Sequence, residues 1–243
     1  YISAFLIVRL LSKHDFSYSV DLKALSVNKK HAASVLKLGV PSGFQNAVFA
    51  IANLFIQGAV NSFDTVVVEG NAAAANADPL VYDVMAAFYM ACASFMSINY
   101  GAGNKKRVIK SYYISLAYSA GIGAGLGILL LLFGKEFLAL FTNEEAVINE
   151  GIVRLRIMAF SYAVSAFMDC TIAASRGLGK TIVPTVMVIL GSCVFRVAWI
   201  YTVFAHFHTV FSLYSLYIFS WSITAAAEII YFVFAYKKAM SAY

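Results

Sequence analysis

The chain has 243 residues, of which 61% are hydrophobic and only 12% charged, with a net charge of +6 and a mean hydropathy of +0.78. A soluble domain carries about 25% charged residues, so this composition excludes an ordinary soluble enzyme and indicates an integral membrane protein. The positive charge is no nucleic-acid footprint either, because the Lys and Arg residues lie between apolar runs, where they orient a chain in a bilayer.

Residues 1–12 contain YISAFLIV, too short to span and without the basic start or cleavage site of a signal peptide. It reads as the end of a helix that begins before Tyr1, so the sequence is expected to be part of a longer chain. A polar connector follows over 13–37. Six runs are then long and apolar enough to cross a bilayer, at about 38–62, 80–99, 109–133, 152–174, 182–204 and 211–236.

The loops set the orientation. Arg9, Lys13, Lys23, Lys29, Lys30 and Lys37 precede the first span, whereas 63–79 has no Lys or Arg. Lys105, Lys106, Arg107 and Lys110 follow the second span, and the next loop sets Lys135 against Glu136, Glu144, Glu145 and Glu150. Arg176 and Lys180 follow the fourth span, His206 and His208 the fifth, and Lys237 and Lys238 the last. Basic and basic-poor loops alternate without exception. The expectation is an all-α, multi-pass bundle in the cell (plasma) membrane, with the 13–37 connector and the 237–243 tail cytoplasmic. The apolar FLALF piece of the fourth loop is too short to cross and is expected to lie at the outer surface.

Several segments imitate other chemistry. GIGAGLG, Gly121 to Gly127, holds two overlapping small-xxx-small pairs suited to close helix packing; with Leu126 and no preceding strand it is no dinucleotide fingerprint. GLGKT at 177–181 resembles the end of a P-loop, but Ala174 stands where the first glycine is required. His206 and His208 alone make a poor metal site. Cys92, Cys170 and Cys193 all fall in spans and read as small buried apolar groups rather than a disulfide framework. No nucleophile–base pair occurs, so enzymatic activity is not expected, and neither is a cofactor, a resident metal or a nucleic-acid partner.

Two spans carry polar stripes. Ser42, Asn46, Asn53, Gln57 and Asn61 fall within a window of about 100° on a helical projection. A stripe that long is expected to line a water-filled substrate cavity, interhelical hydrogen bonding being the alternative. On the fourth span Arg154, Ser161, Ser165, Asp169 and Arg176 share a window of about 80°. Asp169 lies about 8 Å from the cytoplasmic end. An acid at that depth is costly and is a functional candidate, here for binding a coupling proton or sodium ion. Its alternative role is as the structural partner of an arginine. Glu228 lies at a similar depth on the last span, making Asp169 and Glu228 the favoured shared site. Arg196, with Ser192 one turn away, is placed about 12 Å from Asp169 along the membrane normal and is assigned to the cavity lining together with Ser165. Asp83 is expected near the outer end of its span, in water.

The runs VEGNAAAANADPLVYDVMAAFYMACASFMSINYGAGNKKRV (68–108), LFTNEEAV (140–147) and DCTIAASRGLGKTIVP (169–184) resemble the C-terminal half of a multidrug and toxic compound extrusion (MATE) transporter. LGVPSGFQN…IQGAVNSF (38–63) resembles that half's first helix. The resemblance implies a twelve-helix antiporter of two six-helix bundles, exporting drugs or organic cations as sodium or protons enter. It makes 1–12 the end of helix six, 13–37 the linker between bundles and 38–236 the second bundle, which partners a first bundle in the same chain. Some members carry an acid on the first helix of this half, where the present chain has only Asn, Gln and Ser; Asp169 matches an acidic position on the fourth. A lipid-linked oligosaccharide flippase of the same superfamily would favour a strongly basic cavity, and an oligomeric channel would conduct without coupling.

Overall fold

The computed structural model describes residues 1–12, 26 and 28–241. Most of the expected 13–37 connector, residues 13–25 and 27, therefore lies outside the described residues, as do 242 and 243. Two compact units are resolved, Tyr1–Val40 and Pro41–Tyr243. The first contains α1 (Ile2–Leu11), with no buried residue, and the start of α2 (Lys29–Val60). Asn28 caps that start, its side chain accepting from the Lys30 amide at 3.0 Å. Residues 29–37, expected as connector, are helical because the segment KKHAASVLK contains neither Gly nor Pro. The boundary between the units falls at Pro41, whose missing N–H interrupts the helical ladder.

The second unit holds the rest of α2 and seven further helices: α3 (Thr65–Ala75), α4 (Ala77–Gly101), α5 (Lys105–Leu132), α6 (Gly134–Leu138), α7 (Glu145–Gly177), α8 (Ile182–Phe207) and α9 (Val210–Ser241). With α3 and α4 taken together, six helices among the described residues are long and apolar enough to cross a membrane. There is no strand among the described residues.

The stretch 63–79 is not a loop. Asp64 caps α3 by accepting from the Val67 amide at 3.0 Å, and the Ala-rich run that follows favours helix. Pro79 falls in the first turn of α4, where its missing N–H costs little. In the fourth loop the helical turn is α6, one step earlier than FLALF; Leu138 is fully buried while Leu140 and Phe141 are exposed.

The bundle is built round α7. In its most apolar 18-residue window 72% of residues are buried, against 17% for α5. It packs on α3, α4, α5 and α9. Small residues allow this enclosure. A Cβ on Gly127 of α5 would meet the Ala159 carbonyl oxygen at 2.6 Å, and one on Gly70 of α3 would meet that of Val147 at 2.8 Å. The two predicted glycine pairs divide: Gly123 and Gly127 face α7, whereas Gly121 and Gly125 have open space beside them. α8 departs from regular α geometry in two π-turns, Ile189–Val194 and Ile200–Phe204, which flank Arg196; such turns are frequent at functional sites.

Candidate functional site

Polar and charged side chains gather in the interior between α2, α7, α8 and α9. Glu228 of α9 is fully buried, and neither carboxylate oxygen has a hydrogen-bond partner among the described residues. Its charged neighbour is Arg176, near the end of α7. That guanidinium also lies within electrostatic reach of Asp169, seven residues earlier on the same helix, and donates to Gln45 Oε1 at 2.9 Å. Asp169 is half-buried and has a second cationic neighbour in Arg196. One arginine thus serves two carboxylates, while a second arginine faces one of them.

Arg196 is 2% exposed. Its Nε donates to Ser220 Oγ at 3.0 Å, and its guanidinium lies over the rings of Tyr217, Trp221 and Phe49 at 4.7, 5.3 and 5.7 Å from their centroids. Desolvated cation–π contacts of this kind contribute about 2 kcal/mol or more and offset part of the cost of burying the guanidinium, whose Nη2 has no hydrogen-bond partner among the described residues. Ser192, one turn before it, shares a 3.0 Å hydrogen bond with Thr224 on α9. The depth arithmetic favoured Glu228 over Arg196 as the neighbour of Asp169. In the structure Arg196 is within reach of Asp169, and Glu228 connects to it through Arg176. A long guanidinium side chain extends well beyond the level of its own Cα, which rise per residue ignores.

The five residues of the α2 stripe do not join this cluster. Asn46, Asn53, Gln57 and Asn61 are exposed and Ser42 half-buried, and Gln57 donates to Asn61 at 2.9 Å. The inward face of α2 is Gln45, Ala52, Ile56, Ala59 and Val60. Gln45, not singled out in the sequence, is its buried polar residue. It lies inside the stripe's span, one residue before Asn46, and nothing in the spacing marks it out. Ser165, assigned to the cavity lining, is fully buried and donates to the Tyr162 carbonyl of its own helix at 2.9 Å. Asp83 is exposed.

Arg154, grouped with Asp169 by helical projection, belongs to a different cluster. Its Nη2 donates to Asp78 at 2.6 Å, and Tyr162 donates to the other oxygen of that carboxylate at 2.6 Å. Tyr214 lies under the guanidinium and donates to Asn71 at 2.6 Å. His208, in a left-handed conformation, contacts Ser62 across 3.2 Å and stacks on Phe204. No group of three potential metal ligands occurs among the described residues, and all three cysteines are buried and free.

Six apolar spans enclosing an acid–arginine cluster define a multi-pass membrane protein with an intramembrane candidate site. The MatE family profile matches residues 41–202, and the chain belongs to that family. It is 29% identical over 133 residues to a probable multidrug resistance protein, YpnP, of Bacillus subtilis, a match covering 55% of this chain and 30% of that protein. It is 27% identical over 158 residues to a probable multidrug resistance protein, NorM, of Idiomarina loihiensis, covering 63% and 33%. Among solved structures, a MOP superfamily transporter from Pyrococcus furiosus superposes with a TM-score of 0.86 at 19% identity, over 98% of this chain and 54% of that one. An outward-facing multidrug resistance MATE family transporter gives the same TM-score and identity over 98% and 53%. The chain therefore spans about half the length of these transporters, corresponding to their C-terminal half, and its matches span about a third of the curated relatives.

Proposed function

We propose that this chain is the C-terminal bundle of a secondary active antiporter. The transporter exports drugs or organic cations in exchange for sodium or protons, by alternating access between two six-helix bundles. The observation that carries the reading is the Asp169–Arg176–Glu228 cluster. Two carboxylates lie within electrostatic reach of one guanidinium, and Glu228 has no hydrogen bond of its own among the described residues. A proton or sodium ion arriving at either acid would alter the competition for Arg176, giving the bundle two charge arrangements. The exposed amide stripe of α2 would line the substrate cavity together with helices of the first bundle. The protein would reside in the plasma membrane with its basic loops and C-terminus cytoplasmic, and would need no cofactor beyond the coupling ion. Membership of MatE and the multidrug resistance names of its relatives support the substrate class.

The test is Asp169→Asn, with Glu228→Gln beside it, in the transporter expressed in cells lacking other exporters. Coupled drug efflux should fall to background while the amount of protein in the membrane is unchanged. Undiminished drug-driven ion flux in Asp169→Asn overturns the assignment. Conductance without coupling in the unaltered protein favours the channel reading instead.

A further inference from the structure

We propose that the groove between α4 and α5 is a binding site for one anionic phospholipid, distinct from the transport cluster and independent of the antiport reading. The groove encloses about 550 Å3. One wall is the α4 stripe Phe88, Ala91, Phe95 and Asn99; the other is the α5 stripe that starts at Arg107 and Lys110 and ends at Tyr118. The spacings of three and four residues put each set on a single helix face.

Polarity is graded along its length. Arg107, Lys110, Asn99 and Ser111 stand at one end, and the rest of the lining is chiefly aromatic and aliphatic. Phe88 and Tyr118 stack at 5.6 Å and close the far end. From Lys110 to Tyr118 is eight residues, about 12 Å by helical rise. The hydrocarbon half of a bilayer is about 15 Å deep, so the groove is one leaflet deep.

Charge decides the occupant. Arg107 and Lys110 are exposed, and neither has a carboxylate within ion-pair distance among the described residues. Their neighbours Lys105 and Lys106 add to the same field. An organic cation is repelled from that mouth, so the groove is no second drug subsite. A phosphodiester headgroup fits it, with Arg107 offering a planar fork and Lys110 a flexible ammonium to the phosphate. An acyl chain from the same molecule then runs along Phe95 and Ile114 towards the aromatic pair. Basic pockets between transmembrane helices at the positive-inside end recognise lipids of this class.

Native mass spectrometry of the whole transporter in detergent tests the site, with phosphatidylglycerol and phosphatidylcholine of identical chains as probes. Phosphatidylglycerol should bind more tightly, and Arg107→Gln and Lys110→Gln should each weaken it roughly fivefold, the weight of one basic residue beside an anionic lipid. Ala91→Trp keeps both charges and fills the groove, and should abolish the preference; its melting temperature checks folding. Lys105→Gln with Lys106→Gln, outside the groove lining, should weaken it less than either of those single changes, and a larger loss overturns the site. Equal binding of the two lipids overturns the proposal. So does unchanged phosphatidylglycerol binding in a folded Ala91→Trp, which would mean a basic surface without a groove site. Full competition by glycerol 1-phosphate overturns it as well, by showing a free-phosphate site.

Discussion

Two ion pairs in this molecule have similar formal chemistry and unequal weight. Asp78 and Arg154 meet at 2.6 Å with side chains 24% and 5% exposed, while Lys135 and Glu145 meet at 3.2 Å with 61% and 75% exposed. Breaking a buried pair strands a desolvated charge and costs about 3–5 kcal/mol, whereas an exposed pair contributes at most about 1 kcal/mol. Thermal unfolding in detergent should therefore register a large loss for Asp78→Ala and almost none for Lys135→Ala; equal losses would show that Asp78 is not the partner that matters. Arg176 allows a sharper comparison, since its removal leaves Glu228 without its cationic neighbour among the described residues. Arg176→Gln is expected to destabilise the protein and Arg176→Gln with Glu228→Gln to recover part of the loss, a positive coupling in a double-mutant cycle. Strict additivity would separate the two residues. At this scale the sequence indicated which residues were chemically unusual, Asp169, Arg196 and Glu228 among them, but not their partners. Arg154 and Asp169 share a face of α7, yet they are fifteen residues apart and meet different helices. Gln45 gave no signal because its neighbour Asn46 continues the visible stripe while Gln45 itself turns inward.

Elements were legible where periodicity and length agreed, and less so where small residues blurred polarity. The 63–79 stretch carries Asp64, Glu69 and Asp78 and has no long apolar run, so it resembles a loop; in the fold it is mostly α3, buried against α7 through Gly70 and its alanines. Small side chains contribute little to hydropathy and much to close approach. The same logic separates the glycines of α5. Gly127→Ala would push a methyl into the Ala159 backbone, which cannot withdraw, while Gly125→Ala meets nothing within 4 Å. Overpacking of this kind costs about 1–3 kcal/mol, and an exposed helical Gly→Ala change gains about 1 kcal/mol from propensity. Gly127→Ala should lower the melting temperature and Gly125→Ala hold or raise it. The reverse order would mean that α5 presents its other face to α7.

At the scale of the whole molecule the sequence carried most, because the alternation of basic and basic-poor loops constrains the number of crossings as well as their direction. A miscounted span would have placed two basic loops in succession, and six spans is what the helices provide. What it could not carry is the fate of the α2 stripe, since amphipathicity reports that a face is polar and not which neighbour it meets. The inside–outside assignment can be tested with the molecule's own chemistry. Cys92, Cys170 and Cys193 are buried, so an impermeant maleimide should leave these three nearly unlabelled in the folded protein. Single cysteines can then be placed at exposed loop sites: Asn143→Cys before α7, Lys106→Cys at the start of α5 and Lys180→Cys after α7. If positive charge is retained inside, Asn143→Cys is labelled in intact cells, whereas Lys106→Cys and Lys180→Cys react only after permeabilisation. Labelling of Lys106→Cys or Lys180→Cys in intact cells would invert the orientation, and with it the side from which the proposed coupling ion would reach Asp169.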